Sequence, residues 1–145
     1  MSRTVSVERA FEASPEAVYG AYWGLENWPR ALSNIVDAGA DYDDGVHQCF
    51  TMVVDKDGAR ETVRGVRIGV PFAKVELCQF VPPPGFRVMR GEWRFAPSGT
   101  GTQVVAERVY ETSDPAGGDA AGALLKSLLE KNLVAFDRLL SGGAA

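Results

Sequence analysis

The side chains in this sequence best suited to act on a small molecule are two arginines, Arg67 and Arg108. In a strand, residues of one parity share a face. Within 59–68, Val63, Gly65 and Arg67 share one parity, opposite Arg60, Thr62 and Arg64. Within 102–112, Val104, Ala106, Arg108 and Tyr110 share one parity, opposite a set that holds Glu107 and Glu111. The acidic set reads as solvated, so both arginines are expected inside. A guanidinium stays charged and offers a fork of donors. In partly dry surroundings it would hold a carboxylate, carbonyl or enolate oxygen and stabilise negative charge as it develops. The structural alternative is an arginine paired with a buried acid such as Glu61 or Glu107, or one that snorkels to a rim.

Other inward positions supply shape. In 86–95, Met89, Gly91, Trp93 and Phe95 share a face, against Arg90, Glu92 and Arg94. Val63 lies on the wall, and Gly65 leaves room beside Arg67. Asn132 falls inside the apolar stripe of a C-terminal helix, between Leu128/Leu129 and Phe136. Trp28, Trp93, Phe95 and Phe136 serve either as core or as walls for a ligand, and both roles hold at once. Tyr19, Tyr22 and Tyr110 carry hydroxyls that could reach a ligand. The candidate set is therefore Arg67, Arg108 and Tyr110 for catalysis. Trp28, Val63, Gly65, Met89, Trp93, Phe95, Asn132 and Phe136 are the candidates for substrate contact.

Other chemistries lack their residues. The one histidine, His47, has opposite parity to Phe50 and Met52 and is expected in solvent. Cys49 and Cys78 match no zinc spacing, and nothing forces them into a disulfide. Gly99-Thr100-Gly101 and Gly117-Gly118 read as turns rather than phosphate loops. No Gly-x-Ser-x-Gly, no Cys/His pair with a plausible base and no His-rich metal cluster occurs, so neither covalent nor metal catalysis is expected, and no cofactor. The net charge is −4 and the pI about 5.0, which provides no basic stripe for nucleic acid and no attraction to anionic membranes. No secretory leader and no bilayer-spanning run is legible, so a cytoplasmic protein with reduced thiols is expected.

The elements that must hold these residues follow from periodicity and turn signals. The 145 residues suit one domain over 1–145. Thr4 to Ala13 alternates as a strand. Ser14-Pro15-Glu16 then provides an N-cap, a proline and an acid for a short helix through Val18, Tyr19, Tyr22 and Trp23. Glu26-Asn27-Trp28-Pro29 breaks it, with Trp28 biased from the α region by the proline that follows. A second short helix runs through Ala31 and Leu32. Gly- and Pro-bearing turns then separate strands at 35–42, 46–54, 59–68, 72–81, 86–95 and 102–112. A loop at 114–118 leads to a helix over Asp119–Leu140, ended by Gly142-Gly143. Seven antiparallel strands and one long amphipathic helix make an α+β fold in which the sheet curls round the helix. The volume left between them is the expected cavity for a small, largely apolar molecule.

This order resembles the START/Bet v 1-like (SRPBCC, helix-grip) superfamily. The resemblance is carried by Ser14-Pro15-Glu16-Ala17-Val18-Tyr19, Glu26-Asn27-Trp28-Pro29, Gly85-Phe86 leading to Trp93, and the closing helix through Asn132. Within it the chain looks most like bacterial aromatic polyketide aromatase/cyclases, which also carry a Trp-Pro after the first helix. Trp28, Pro29, Arg67 and Trp93 match their positions. Where those cyclases tend to have another cavity arginine, before the proline turn, this chain reads Leu77-Cys78-Gln79-Phe80. The resemblance implies that the cavity folds a poly-β-ketone for aldol closure and dehydration. Arg67 would polarise a carbonyl or stabilise the enolate, with tyrosine or water moving protons. An acyl carrier protein is the further partner it leaves open. The same superfamily also contains carriers and sensors that sequester a lipid or natural product unchanged. A co-chaperone using its surface is a third reading. Convergent polar groups in the cavity would favour the enzyme over the carrier.

Overall fold

Cap and turn residues fix where each element begins. The computed structural model describes residues 2–142. β1 (Arg3–Phe11) leads to α1 (Pro15–Trp23), whose N-cap Ser14 accepts a hydrogen bond from the Ala17 amide. A 3-10 turn (Leu25–Asn27) and the short α2 (Trp28–Ala31) follow. Trp28 departs from the local expectation: its φ of −65° and ψ of −48° are helical although Pro29 comes next. Its indole is buried, and Nε1 donates to the Tyr22 carbonyl at 3.1 Å, so packing overrides the pre-proline bias. Pro29 lies in the first turn, where its missing N–H costs nothing. α2 stops at Ala31, leaving Leu32 as its C-cap.

Six strands complete the sheet: β2 (Ile35–Asp43), β3 (His47–Lys56), β4 (Ala59–Val70), β5 (Lys74–Val81), β6 (Phe86–Ser98) and β7 (Gly101–Thr112). They form one antiparallel seven-stranded sheet in the order β1-β7-β6-β5-β4-β3-β2. β5 starts at Lys74 rather than 72, because the Ala73 amide closes a turn on the Val70 carbonyl at 2.9 Å. β2 is an edge strand with two breaks in register, between Ile35 and Asp37 and between Ala40 and Tyr42.

The 114–118 segment is ordered as a 3-10 turn, Pro115–Gly117, with the Asp114 carboxylate accepting from the Ala116 amide. α3 (Gly118–Leu140) begins at once and ends at Ser141, with Gly142 at a φ of +74°. Gly143, expected to share in that stop, lies outside the described residues. α3 lays Leu125, Leu129, Leu133 and Phe136 against the concave face of the sheet, while Leu128 remains 42% exposed. The inward parities hold: Met89, Trp93 and Phe95 on β6, Val63, Gly65 and Arg67 on β4, and Val104, Ala106, Arg108 and Tyr110 on β7 are all buried. Each fully buried large apolar side chain contributes roughly 1.5–3 kcal/mol.

Both cysteines are free. Val66 of β4 stands between them, paired with Cys49 on one side and Cys78 on the other. Two strand spacings of ~4.8 Å separate their backbones by ~10 Å. That exceeds the ~7 Å reach of a disulfide.

Candidate functional site

The two inward arginines meet different surroundings. Arg67 is 2% exposed, and each of its guanidinium nitrogens has a protein acceptor. Nε donates to Gln48 Oε1 at 2.7 Å, Nη1 to the Tyr22 carbonyl at 2.8 Å and Nη2 to the Trp23 carbonyl at 2.6 Å. Those carbonyls belong to the last turn of α1, where helical acceptors lack intrahelical donors. Gln48 is itself held by Asp43 at 3.0 Å, and the Trp23 ring lies 5.1 Å beneath the guanidinium. Burial pulls the Arg67 pKa down to about 9, opposed by Tyr19 and Asp43, and the group stays charged at neutral pH. Arg67 therefore clamps the end of α1 to β4. Neither acid considered from the sequence pairs with it; Glu61 lies 3.5 Å from Lys56 instead.

Gly65 does not leave the expected room. A Cβ there would stand 2.5 Å from the Cys78 carbonyl oxygen and 2.8 Å from the Phe50 ring, so Phe50 already fills that space.

Arg108 is 9% exposed and lies against a cleft of about 440 Å³. Gln79, Met89 and Arg108 line it from the sheet, the 32–35 segment closes one side, and α3 contributes the face bearing Leu128 and Asn132. The Arg108 guanidinium sits 4.4 Å above the Trp93 ring, and Nη1 donates to the Glu107 carbonyl at 2.8 Å. Among the described residues no carboxylate lies within ion-pair distance of it. Burial lowers its pKa to about 10, with Tyr22 opposing, and it remains a cation at neutral pH. A desolvated guanidinium with spare donors is an acceptor-seeking group.

Of the candidates read from the sequence, Met89, Arg108 and Asn132 meet at this cleft. The others do not line it. Trp28, Trp93 and Phe136 pack round Tyr22, with ring centroids 6.1, 5.1 and 4.0 Å from its ring. Phe95 lies 5.7 Å from the same ring, and Val63 is buried in the core. Tyr110 donates its hydroxyl to the Gly118 carbonyl at 3.0 Å, tying β7 to the start of α3. Gln79, absent from the sequence-based set, shares inward parity with Val75 and Leu77. Its Oε1 is buried without a partner. Gln48 likewise shares the parity of Phe50 and Met52. Alternation alone points to both amides; nothing local marks the 32–35 segment as a wall. His47 is exposed and bonded to Asp44 at 3.1 Å. Among the described residues no cluster of three or more His, Cys, Asp or Glu could hold a metal, and no helix is long and apolar enough to cross a membrane.

A curved antiparallel sheet gripping one long helix, with a cleft between them, defines the helix-grip class of the START/Bet v 1-like superfamily. Within it the chain belongs to the polyketide cyclase/dehydrase and lipid transport family, whose sequence profile matches residues 2–141. No curated protein sequence matches the chain. Three solved structures illustrate the fold's spread. A Thermus thermophilus protein, TTHA0849, is 21% identical over 99% of this chain and 100% of its own, with a TM-score of 0.83. The Zhui aromatase/cyclase from Streptomyces sp. R1128 is 21% identical over 99% of this chain and 94% of its own, at 0.80. A START superfamily protein from Mycobacterium smegmatis is 16% identical over 96% of this chain and 97% of its own, at 0.83. At such identities the likeness establishes the fold.

Proposed function

We propose that the chain takes a small, largely apolar polyketone into the Arg108 cleft and directs its aldol closure and dehydration. The observation that carries this reading is the Arg108 guanidinium: buried, free of any carboxylate among the described residues, and bordering the cleft. In the step we assign to it, an enolate carbon of the chain adds to a ketone carbon and forms the ring C–C bond. The ketone oxygen takes up the electron pair, and Arg108 donors hold it as it becomes an alkoxide. Solvent water accepts the proton lost on enolisation and returns one to the alkoxide. Loss of that hydroxyl with a neighbouring hydrogen releases water and sets the double bond. Leu128, Met89 and the other apolar walls hold the chain folded so that the reacting carbons stay close. The electrostatic role that the resemblance implied for Arg67 passes to Arg108 in this reading, and Arg67 supports it from behind by fixing α1. An acyl carrier protein is the partner that would present such a chain.

One observation favours a carrier instead. The hydroxyls of Tyr22 and Tyr110 are committed to Asn132 and to the Gly118 carbonyl, so neither is a free proton donor at the cleft.

The deciding experiment generates a linear poly-β-ketone in situ with a minimal aromatic polyketide synthase, with and without this protein. The expected result is a shift from spontaneous products to one cyclised product, lost in Arg108→Ala. Redirection that survives Arg108→Ala overturns the role of Arg108. An unchanged profile with the wild-type protein favours the carrier.

A further inference from the structure

Tyr22 is wholly buried, and its hydroxyl has one partner, Asn132 Oδ1 at 3.0 Å, across 110 residues of sequence. Burial pushes the phenol well above its ordinary pKa, with Arg108 opposing. It therefore keeps its proton at neutral pH and must donate it. A side-chain amide has one accepting and one donating end. With Oδ1 turned to Tyr22, Asn132 Nδ2 is turned the other way. Asn132 lines the cleft, and Nδ2 has no partner among the described residues. Arg108 borders the same cleft, close enough to Tyr22 for its charge to act on the phenol. No carboxylate side chain lines this cleft, and Lys131 adds a further cation at its rim. Both charged groups that line it are thus donors, and Gln79 Oε1 is an unpartnered buried acceptor in the same lining. A lone carbonyl would use one of the donors, whereas two oxygens sharing one negative charge would use both Asn132 and Arg108.

We infer that Tyr22 is a positioning residue that sets the polarity of the cleft: it holds Asn132 with Nδ2 toward the ligand. Asn132 and Arg108 then form a two-donor seat for the paired oxygens of a 1,3-dicarbonyl enolate. This rests on the polyketone reading of the cleft and names the unit of the ligand that it grips. No chemistry is assigned to Tyr22 itself; it acts through the amide it orients.

The test uses two probes on the purified protein, 1-phenylbutane-1,3-dione and the neutral monoketone 1-phenylbutan-1-one. The enolate absorbance of the bound diketone, followed against pH, reports how strongly the seat favours the anion. In the wild-type protein the bound enol should ionise about one pH unit lower than the free probe, about tenfold in favour of the enolate. Tyr22→Phe should lose most of that shift while its Kd for the monoketone stays unchanged, which a general collapse of the cleft would not allow. Asn132→Leu should lose a similar share, and adding Tyr22→Phe to it should change nothing more. An unshifted enol in the wild-type protein, a shift retained in Tyr22→Phe, or additive losses in the double variant would each overturn the proposal. Failure of both probes to bind overturns the cleft reading with it; binding of the monoketone beside an unshifted enol overturns the positioning role alone.

Discussion

Arg67 on β4 and Arg108 on β7 lie on the same concave face of the sheet, both nearly buried and both with pKa values lowered by desolvation. What stands opposite each one differs. Arg67 faces the end of α1, whose last-turn carbonyls and Gln48 occupy all three of its nitrogens. Arg108 faces a cleft and makes one hydrogen bond, to the carbonyl of its own neighbour. The same side chain is a clamp on β4 and a cleft-facing charge on β7. Helix placement decides between the two roles; residue type and strand parity do not.

The largest effect should come from Arg67→Ala. It would remove one donor each from the Tyr22 and Trp23 carbonyls, which keep Trp28 Nε1 and Gln48 Nε2, and leave Gln48 Oε1 without one in a buried site, a loss of about 2–4 kcal/mol. A urea denaturation midpoint checks this, and a loss below ~1 kcal/mol would erase the contrast between the two arginines. Arg67→Lys should rescue little, because one ammonium cannot match a planar fork over three acceptors.

Next comes Gly65→Val, expected to cost about 1–3 kcal/mol through collision with Phe50 and the Cys78 carbonyl. Affinity for the monoketone should stay near wild type, because Phe50 rather than open cleft covers Gly65. A selective loss of affinity with intact stability would place Gly65 at the cleft after all.

Arg108→Ala should change stability by no more than about 1 kcal/mol, since the lost ring contact and hydrogen bond are offset by removal of a desolvated charge. Denaturation of this variant beside Arg67→Ala sharpens the comparison most directly. The smallest effect belongs to a third arginine, Arg9, which meets Asp137 of α3 at 2.8 Å with its own side chain 43% exposed. Arg9→Ala should cost under ~1 kcal/mol and still less in high salt.

These contrasts mark how far sequence carries. Alternation with a period of two is a local property, so the inward sets on β4, β6 and β7 are legible residue by residue. The turn chemistry likewise separates the strands to within a few positions. The α1 partners of Arg67 lie 45 and 44 residues away in the chain, and Tyr22 meets Asn132 across 110. No local pattern encodes such meetings. Trp28 shows a local rule losing outright, since an aromatic cluster fixes its backbone against the bias from Pro29. Gln48 and Gln79 stand at readable inward parities, but a neutral amide in an alternating strand gives no charge or bulk to flag it.

The interrupted register of β2 has a consequence for the protein's behaviour in concentrated solution. An outermost strand offers its unpaired amides and carbonyls as a template on which a second chain can zip. Here the two breaks in register divide that template into short pieces, and Asp37, Asp41 and Asp43 stand exposed along it. A second copy approaching edge-on would have to bury like charges against a ladder that is out of step. Ribbon-like polymerisation from this side is thereby disfavoured, whatever the cleft contains.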